Sequence, residues 1–228
     1  MLLEHVPCDL CASKEYKVRY RKPDNWLRET LFEFPVVECL HCGLVYVNPR
    51  PTQESMGAFY PIDYHVGRDG ENFVRRYSVQ KVLLPNISGK RVLDIGCARG
   101  DFLTYLLNTG IAFKPYGVDA FSTGVVDNRI NFEKGLFTAI GYESDYFDLV
   151  MSWAVFEHLH RPTEYFFRSC ESFKAAGSPY YFGNKLREYI RPIRFCRGCP
   201  KTHLPLLERN TPSIWSKSWF DDQIGRLS

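Results

Sequence analysis

No stretch of this chain comes near the ~18 consecutive apolar residues that a bilayer-spanning helix needs. Strong charge of one sign is also missing: 29 Lys and Arg stand against 26 Asp and Glu, a formal net charge of +3. That balance leaves a nucleic-acid partner without its electrostatic basis, a cationic face that neutralises phosphates. Residues 1–10, with Glu4, His5 and Asp9, lack the basic-then-apolar pattern of a secretory leader. Eight cysteines without an export pattern are expected to stay reduced or metal-bound, in the cytoplasm. What remains is ordinary for a globular chain: 228 residues, 45% hydrophobic and 24% charged, enough for one principal domain and a small module.

Four of the cysteines are paired by spacing. Cys8-x-x-Cys11 and Cys39-x-x-Cys42 each bring two thiolates to one point, and two such knuckles complete a tetrahedral Zn²⁺ site. Gly43 follows the second knuckle and eases the tight turn that aims backbone N–H groups at the sulfurs. Tyr16–Tyr20, Leu31–Phe34 and Leu44–Val47 read as strands, which outlines a zinc ribbon. The intervening residues 12–38 exceed the ~15–20 of the usual pattern. A third pair, Cys196-x-x-Cys199, lies among Arg191, Arg194, Arg197 and Lys201, with His203 the nearest further ligand. It reads as incidental, with metal and redox roles left open.

The most informative stretch is Arg91-Val92-Leu93-Asp94-Ile95-Gly96-Cys97-Ala98-Arg99-Gly100-Asp101, followed by Asp119. It reads as a buried strand, a glycine turn, a helix start, and a carboxylate at the tip of the next strand. An α/β protein builds a nucleotide or nucleoside crevice from these parts. Gly96 and Gly100 are expected to let the backbone approach a ligand closely. Asp119 closes the run Tyr116-Gly117-Val118, where it is placed to accept hydrogen bonds from a ribose diol, with Ala120 beside it.

The spacing selects the ligand. A dinucleotide fingerprint wants glycine at the first, third and sixth positions, but from Gly96 the third is Ala98 and the sixth is Asp101. Asp101 at the helix start repels a pyrophosphate resting there. A phosphate-free sulfonium ligand meets no such repulsion, and Asp94 adds a carboxylate near a cation. S-adenosylmethionine is therefore favoured over NAD.

Asp94-x-Gly96-x-x-x-Gly100 resembles motif I of the class I S-adenosylmethionine-dependent methyltransferases, with Ala98 at the usual middle glycine. Asp119 matches their ribose-binding acid. The segment from Phe147-Asp148 through Glu157-His158-Leu159 is similar to the one following their fourth strand. The resemblance implies a Rossmann-like α/β sheet, cofactor contacts from Asp94, Gly96, Cys97, Ala98, Gly100, Asp119, Ala120, Phe137, Ser152 and Trp153, and a methyl-transfer reaction. Leu136 and Phe137 read equally as adenine wall or as core. Cys97 reads as a small turn residue, not a nucleophile. His158 is the candidate base, a loop-anchoring role staying open, and His160 is the second candidate. Glu157 reads as a cap of the following loop. A ribbon ahead of such a domain is similar to a bacterial type of these enzymes, several of which methylate sugars or other small metabolites.

The chain divides into a ribbon at 1–50, a helical connector at 51–85, a cofactor domain at 86–182 and a divergent segment at 183–228. Tyr60, Tyr64, Phe73 and Tyr77 in the connector read as packing residues or a lid. Helices are expected at Asp101–Asn108, stopped by Gly110, at Thr123–Arg129 and from Pro162 to Phe173. Strands are expected at Arg91–Ile95, Pro115–Val118, Phe132–Phe137 and Phe147–Trp153. Lys174–Gly177 and Ser178–Phe182 stand where relatives carry a turn and a fifth strand. The closing hairpin is hard to find in 183–228, so the C-terminal strands read as truncated or divergent. Three readings stay open: a methyltransferase acting on a small molecule by O- or C-methylation, an inactive cofactor- or partner-binding descendant, and an RNA or protein methyltransferase using its ribbon for recognition. Ser152-Trp153-Ala154-Val155 replaces the Asn/Asp-Pro-Pro-Tyr/Phe signature of base-methylating enzymes, which weakens N-methylation of bases though not methylation of RNA riboses.

Overall fold

The computed structural model describes residues 2–23, 33–60, 71–172 and 181–183. They fall into two compact units, one within 1–61 and the other within 62–199. Among the described residues no helix is long and apolar enough to cross a membrane.

The first unit contains β1 (Leu3–Glu4), β2 (Tyr16–Pro23), β3 (Glu33–Cys39), β4 (Val45–Val47) and β5 (Arg50–Pro51). An antiparallel sheet runs in the order β2-β3-β4, and β1 pairs with β5. The central strand was expected at Leu31–Phe34 but occupies Glu33–Cys39; Leu31 and Phe32 lie outside the described residues. Its run Phe34-Pro35-Val36-Val37 is buried continuously, on both faces of the strand. Lys17 and Arg19 on β2 both reach Glu38 across the strands, at 3.1 and 2.6 Å. Against partial burial, these two cations hold the Glu38 carboxyl below its usual range. Asn48 ties the strand ends together: its side chain accepts from the Val6 N–H and donates to the Val6 carbonyl. Residues 53–59, expected as part of a helical connector, form a 3₁₀ helix.

The second unit opens with α1 (Glu71–Leu83) and continues β6 (Arg91–Ile95), α2 (Asp101–Asn108), β7 (Lys114–Asp119), β8 (Asn131–Lys134), β9 (Leu149–Trp153), α3 (Pro162–Ser172) and β10 (Tyr181–Gly183). The sheet is parallel throughout, in the order β10-β9-β6-β7-β8. This is the Rossmann-like arrangement: the chain leaves β6 in one direction and later returns to its other side. Alternation sends Val92 and Asp94 to one face and Leu93 and Ile95 to the other. On the first face Val92, Leu149 and Met151 pack against Phe102, Leu103 and Leu106 of α2. On the second, Leu93, Ile95, Val118 and Val150 join Phe137, Phe147 and Tyr165. Each such fully buried side chain contributes about 1.5–3 kcal/mol. Helix α2 ends as its sequence requires, with Gly110 at φ 81° just beyond Thr109. The ring of Tyr77 on α1 packs on Phe102 and Tyr105, so this residue's observed role is packing.

Three expectations are corrected. Residues 123–129 form turns, not a helix. Ser122 bonds Gly124 through both its hydroxyl and that residue's N–H, Gly124 sits at φ 145°, and Asp127 captures the Arg129 N–H and guanidinium. Such short polar side chains offer the backbone local partners that compete with a helix. Arg129 holds Asp127 down to about 2. The third strand ends at Lys134, because Gly135 at φ 155° turns the chain into a 3₁₀ helix at Phe137–Ala139. The fourth strand begins at Leu149, since Asp148 turns aside to accept the Arg91 N–H at 2.8 Å. Tyr64, Phe173, Lys174–Gly177, Ser178–Tyr180, Cys196, Cys199 and the rest of 184–228 lie outside the described residues.

Candidate functional site

The glycine turn is stitched to the end of β7. Gly96 and Cys97 both donate their N–H to the Val118 carbonyl, at 2.8 and 3.2 Å. The Ala98 N–H goes to Asp119 Oδ2 at 2.9 Å, and Asp119 Oδ1 accepts from the N–H groups of Phe121 and Ser122, both at 2.8 Å. Asp119 thus stands at the tip of its strand as a clamp on the turn and on the chain leaving β7. Each carboxylate oxygen has two lone pairs, so Oδ1 is filled by its two donors and Oδ2 keeps one lone pair.

Both glycines hold the left-handed backbone that a side chain would resist, and the protein also packs closely against them. Gly96 is at φ 73°, and a Cβ there would lie 2.3 Å from Val155 Cγ2. Gly100 is at φ 76°, and its Cβ would lie 2.7 Å from Ile130 Cδ1. At both positions the space is taken by the protein, so the backbone conformation and close packing demand glycine. Ala98 adopts φ 53°, a left-handed conformation that costs an alanine energy. The buried Cys97 thiol fills the place of a Cβ on Gly117, 2.7 Å away, and burial raises its pKa far above the ordinary thiol value. That environment fits a packing role.

Buried polar atoms without partners gather at the carboxyl ends of β6 and β9. Asp94 is 4% exposed and its Oδ1 has no hydrogen-bond partner among the described residues. Burial first, and the Asp119 charge second, raise its pKa well above the usual carboxylate range. Trp153 Nε1 and both oxygens of Glu157 are likewise buried and unpartnered. Glu157 is therefore not the loop cap expected from sequence, because a cap would bond backbone N–H groups. The sequence carried a signal for this residue in the pair Glu157-His158, but nothing in it separates a cap from an unpartnered acid. Trp153 packs edge-on against Phe102 at 5.7 Å. Ser152 is 2% exposed and donates its hydroxyl to the Ile95 carbonyl at 3.1 Å, linking β9 to β6. His158 closes a 3₁₀ turn at Phe156–His158 and is half-buried, as is His160. Ala120 is half-buried beside Asp119, and Phe137 is 1% exposed against Tyr142 and Tyr165. The orphaned carboxyl at Asp94 suits a ligand that brings positive charge, as S-adenosylmethionine does.

In the other unit Cys8, Cys11, Cys39 and Cys42 place their sulfurs within 4.8 Å of one another. Cys8 and Cys42 are 3.4 Å apart, Cys11 and Cys39 3.6 Å. A tetrahedron with Zn–S of about 2.3 Å has edges of about 3.8 Å, so the set fits Zn²⁺. The two knuckles repeat one backbone pattern. Ala12 N–H bonds the Cys8 carbonyl and Gly43 N–H the Cys39 carbonyl, while Cys8 and Cys39 donate to Ser13 and Leu44. Ala12 at φ 59° takes the place that Gly43 takes at φ 79°. Against burial, the N–H groups of Cys42 and His41 bring the Cys39 thiol down to about 7.

Residues 71–178 match the family described as Methyltransferase domain. No curated protein matches the chain. Among solved structures it is similar to an S-adenosylmethionine-dependent methyltransferase from Mesorhizobium loti, at 20% identity and a TM-score of 0.41 over 50% of this chain and 54% of that one. It is also similar to the [4+2]-cyclase SpnF, at 15% identity and a TM-score of 0.45, covering 55% and 58%. The chain spans little over half the length of either, and neither likeness bears on what it acts on.

Proposed function

From the match of residues 71–178 to the family described as Methyltransferase domain, we propose that this is a class I S-adenosylmethionine-dependent domain and that the protein methylates a small, hydroxyl-bearing metabolite on oxygen or carbon. The observation that carries the reading is the set of buried, unpartnered polar atoms at the ends of two adjacent strands: Asp94 Oδ1, Trp153 Nε1 and the Glu157 carboxylate. S-adenosylmethionine supplies an activated methyl group on a sulfonium. Asp94, the glycine turn and Asp119 hold its charge, backbone and ribose, and Ala120, Ser152 and Trp153 flank its adenosyl end.

On the acceptor side, Glu157 takes only donors and Trp153 Nε1 gives only one, so a hydroxyl group suits both. Alignment for in-line attack is the main demand on the protein. His158, one residue beyond Glu157, takes the acceptor's proton. In the ribbon Cys8, Cys11, Cys39 and Cys42 hold a structural Zn²⁺.

The test is calorimetric titration of the zinc-loaded protein with S-adenosylmethionine and S-adenosylhomocysteine, then an acceptor screen beginning with sugar nucleotides and small phenols. Micromolar binding abolished by Asp119→Ala, with methylation of a hydroxylated acceptor, is the expected result. A folded protein that binds neither ligand would refute the reading.

A further inference from the structure

Asp94 combines features that a purely structural carboxyl has no use for. It sits one residue before the end of β6, flanked in the sheet by Gly117 of β7 and Met151 of β9, under the glycine turn. It is 4% exposed, and its Oδ1 has no partner among the described residues. The surrounding titratable groups do nothing to favour its charge. Asp119 on β7 opposes it, and Cys97 in the turn is a buried neutral thiol. Asp101 in the first turn of α2 is a further acid, and Arg99, the cation of the turn, pairs with it at 3.9 Å. Met151 and Ser152 of β9 carry no charge. An ionised carboxyl in such a place is costly unless a positive charge arrives with the ligand.

We propose that Asp94 is the residue that tells the charged cofactor from its neutral product: it is ionised when a sulfonium lies over the glycine turn and protonated when a thioether does. The inference rests on the cofactor reading above and adds a mechanism of discrimination to it. S-adenosylmethionine and S-adenosylhomocysteine share the adenosyl and amino-acid groups, so the methyl group and the charge it puts on sulfur are all that separate them. Binding the first expels a proton from Asp94, and binding the second does not. The burial that makes the free site disfavour a charge thereby becomes a preference for the methyl donor over the spent product.

The experiment is titration calorimetry of the full, zinc-loaded chain with each ligand at pH 7, in buffers of different ionisation enthalpy. The dependence of the heat on the buffer counts protons exchanged. S-adenosylmethionine is expected to release close to one proton and S-adenosylhomocysteine close to none. In Asp94→Asn, which keeps shape and polarity, the difference should vanish, and the preference for the methyl donor should fall by about tenfold for each pKa unit by which the sulfonium holds Asp94 below the assay pH. Equal proton release with both ligands would overturn the proposal and assign the compensating charge to their common ammonium. Release unchanged in Asp94→Asn would overturn it by moving the proton elsewhere. If neither ligand binds, the cofactor reading itself fails and carries this one with it.

Discussion

Replacing Gly96 by alanine tests the central joint of the fold. The new methyl group would lie 2.3 Å from Val155 Cγ2 and 2.9 Å from Cγ1, and the residue would hold φ 73°. The left-handed backbone costs an alanine about 1–2 kcal/mol. Forcing a methyl group into filled space costs about 1–3 kcal/mol. The stiffer unfolded chain returns about 0.4–1 kcal/mol. The net expectation is a loss of about 2–4 kcal/mol in urea unfolding. Gly89 supplies the control, since it sits at φ 71° with nothing within 4 Å of its Cβ position. Gly89→Ala should therefore lose only the backbone share, about 0–1.5 kcal/mol. Adding Val155→Ala to Gly96→Ala should show a favourable coupling of about 0.5–3 kcal/mol in a double-mutant cycle. If Gly96→Ala costs no more than Gly89→Ala, the packing of Val155 against the turn is not what requires glycine there.

Three further outcomes are expected. Stripping the metal with a chelator should melt the β2-β3-β4 sheet, read as loss of its backbone amide signals by NMR, while the β6–β9 signals persist; an intact sheet in a metal-free sample would refute a structural ion. Glu157→Gln should leave cofactor affinity unchanged and the melting temperature no lower, because it removes an uncompensated buried charge, yet it should lower kcat/KM for the acceptor about tenfold to a hundredfold; unaltered turnover would remove Glu157 from the acceptor site. The cofactor-free protein should become less stable than Asp94→Asn as pH rises. A carboxyl whose folded pKa is raised contributes its stability fully below the unfolded value and loses it as pH climbs through the folded one, so parallel melts of the two proteins across pH would contradict the burial argument.

Much of the fold was legible in local pattern. Arg91–Ile95 and Asp101–Asn108 were readable to the residue, because an apolar strand, a glycine turn and an apolar helix face with Gly110 behind it all agree. The helix expected at 123–129 does not form because Ser122 and Asp127 bond locally, and the order of residues along the chain does not reveal such side-chain bonds. The central ribbon strand was cut short for a different reason: Phe34–Val37 are buried continuously, on both faces of the strand, and alternation is then no guide. The parts of the site were legible as residue types at fixed spacing. Their states were not. That Asp119 is already engaged by three N–H groups, and Glu157 by none, depends on where strands from distant parts of the chain end.

The register Tyr16↔Cys39 sets the two cysteine knuckles side by side. Antiparallel pairing from that point out to Pro23↔Glu33 shares with the ion the entropy cost of bringing Cys11 near Cys39. Chain length beyond Pro23 and before Glu33 is thereby uncoupled from ligand geometry, which accounts for a spacing longer than the usual pattern. Residues can be added or removed at that far end, as a peptide tag or a grafted recognition loop, and the four sulfurs would still converge on the same point.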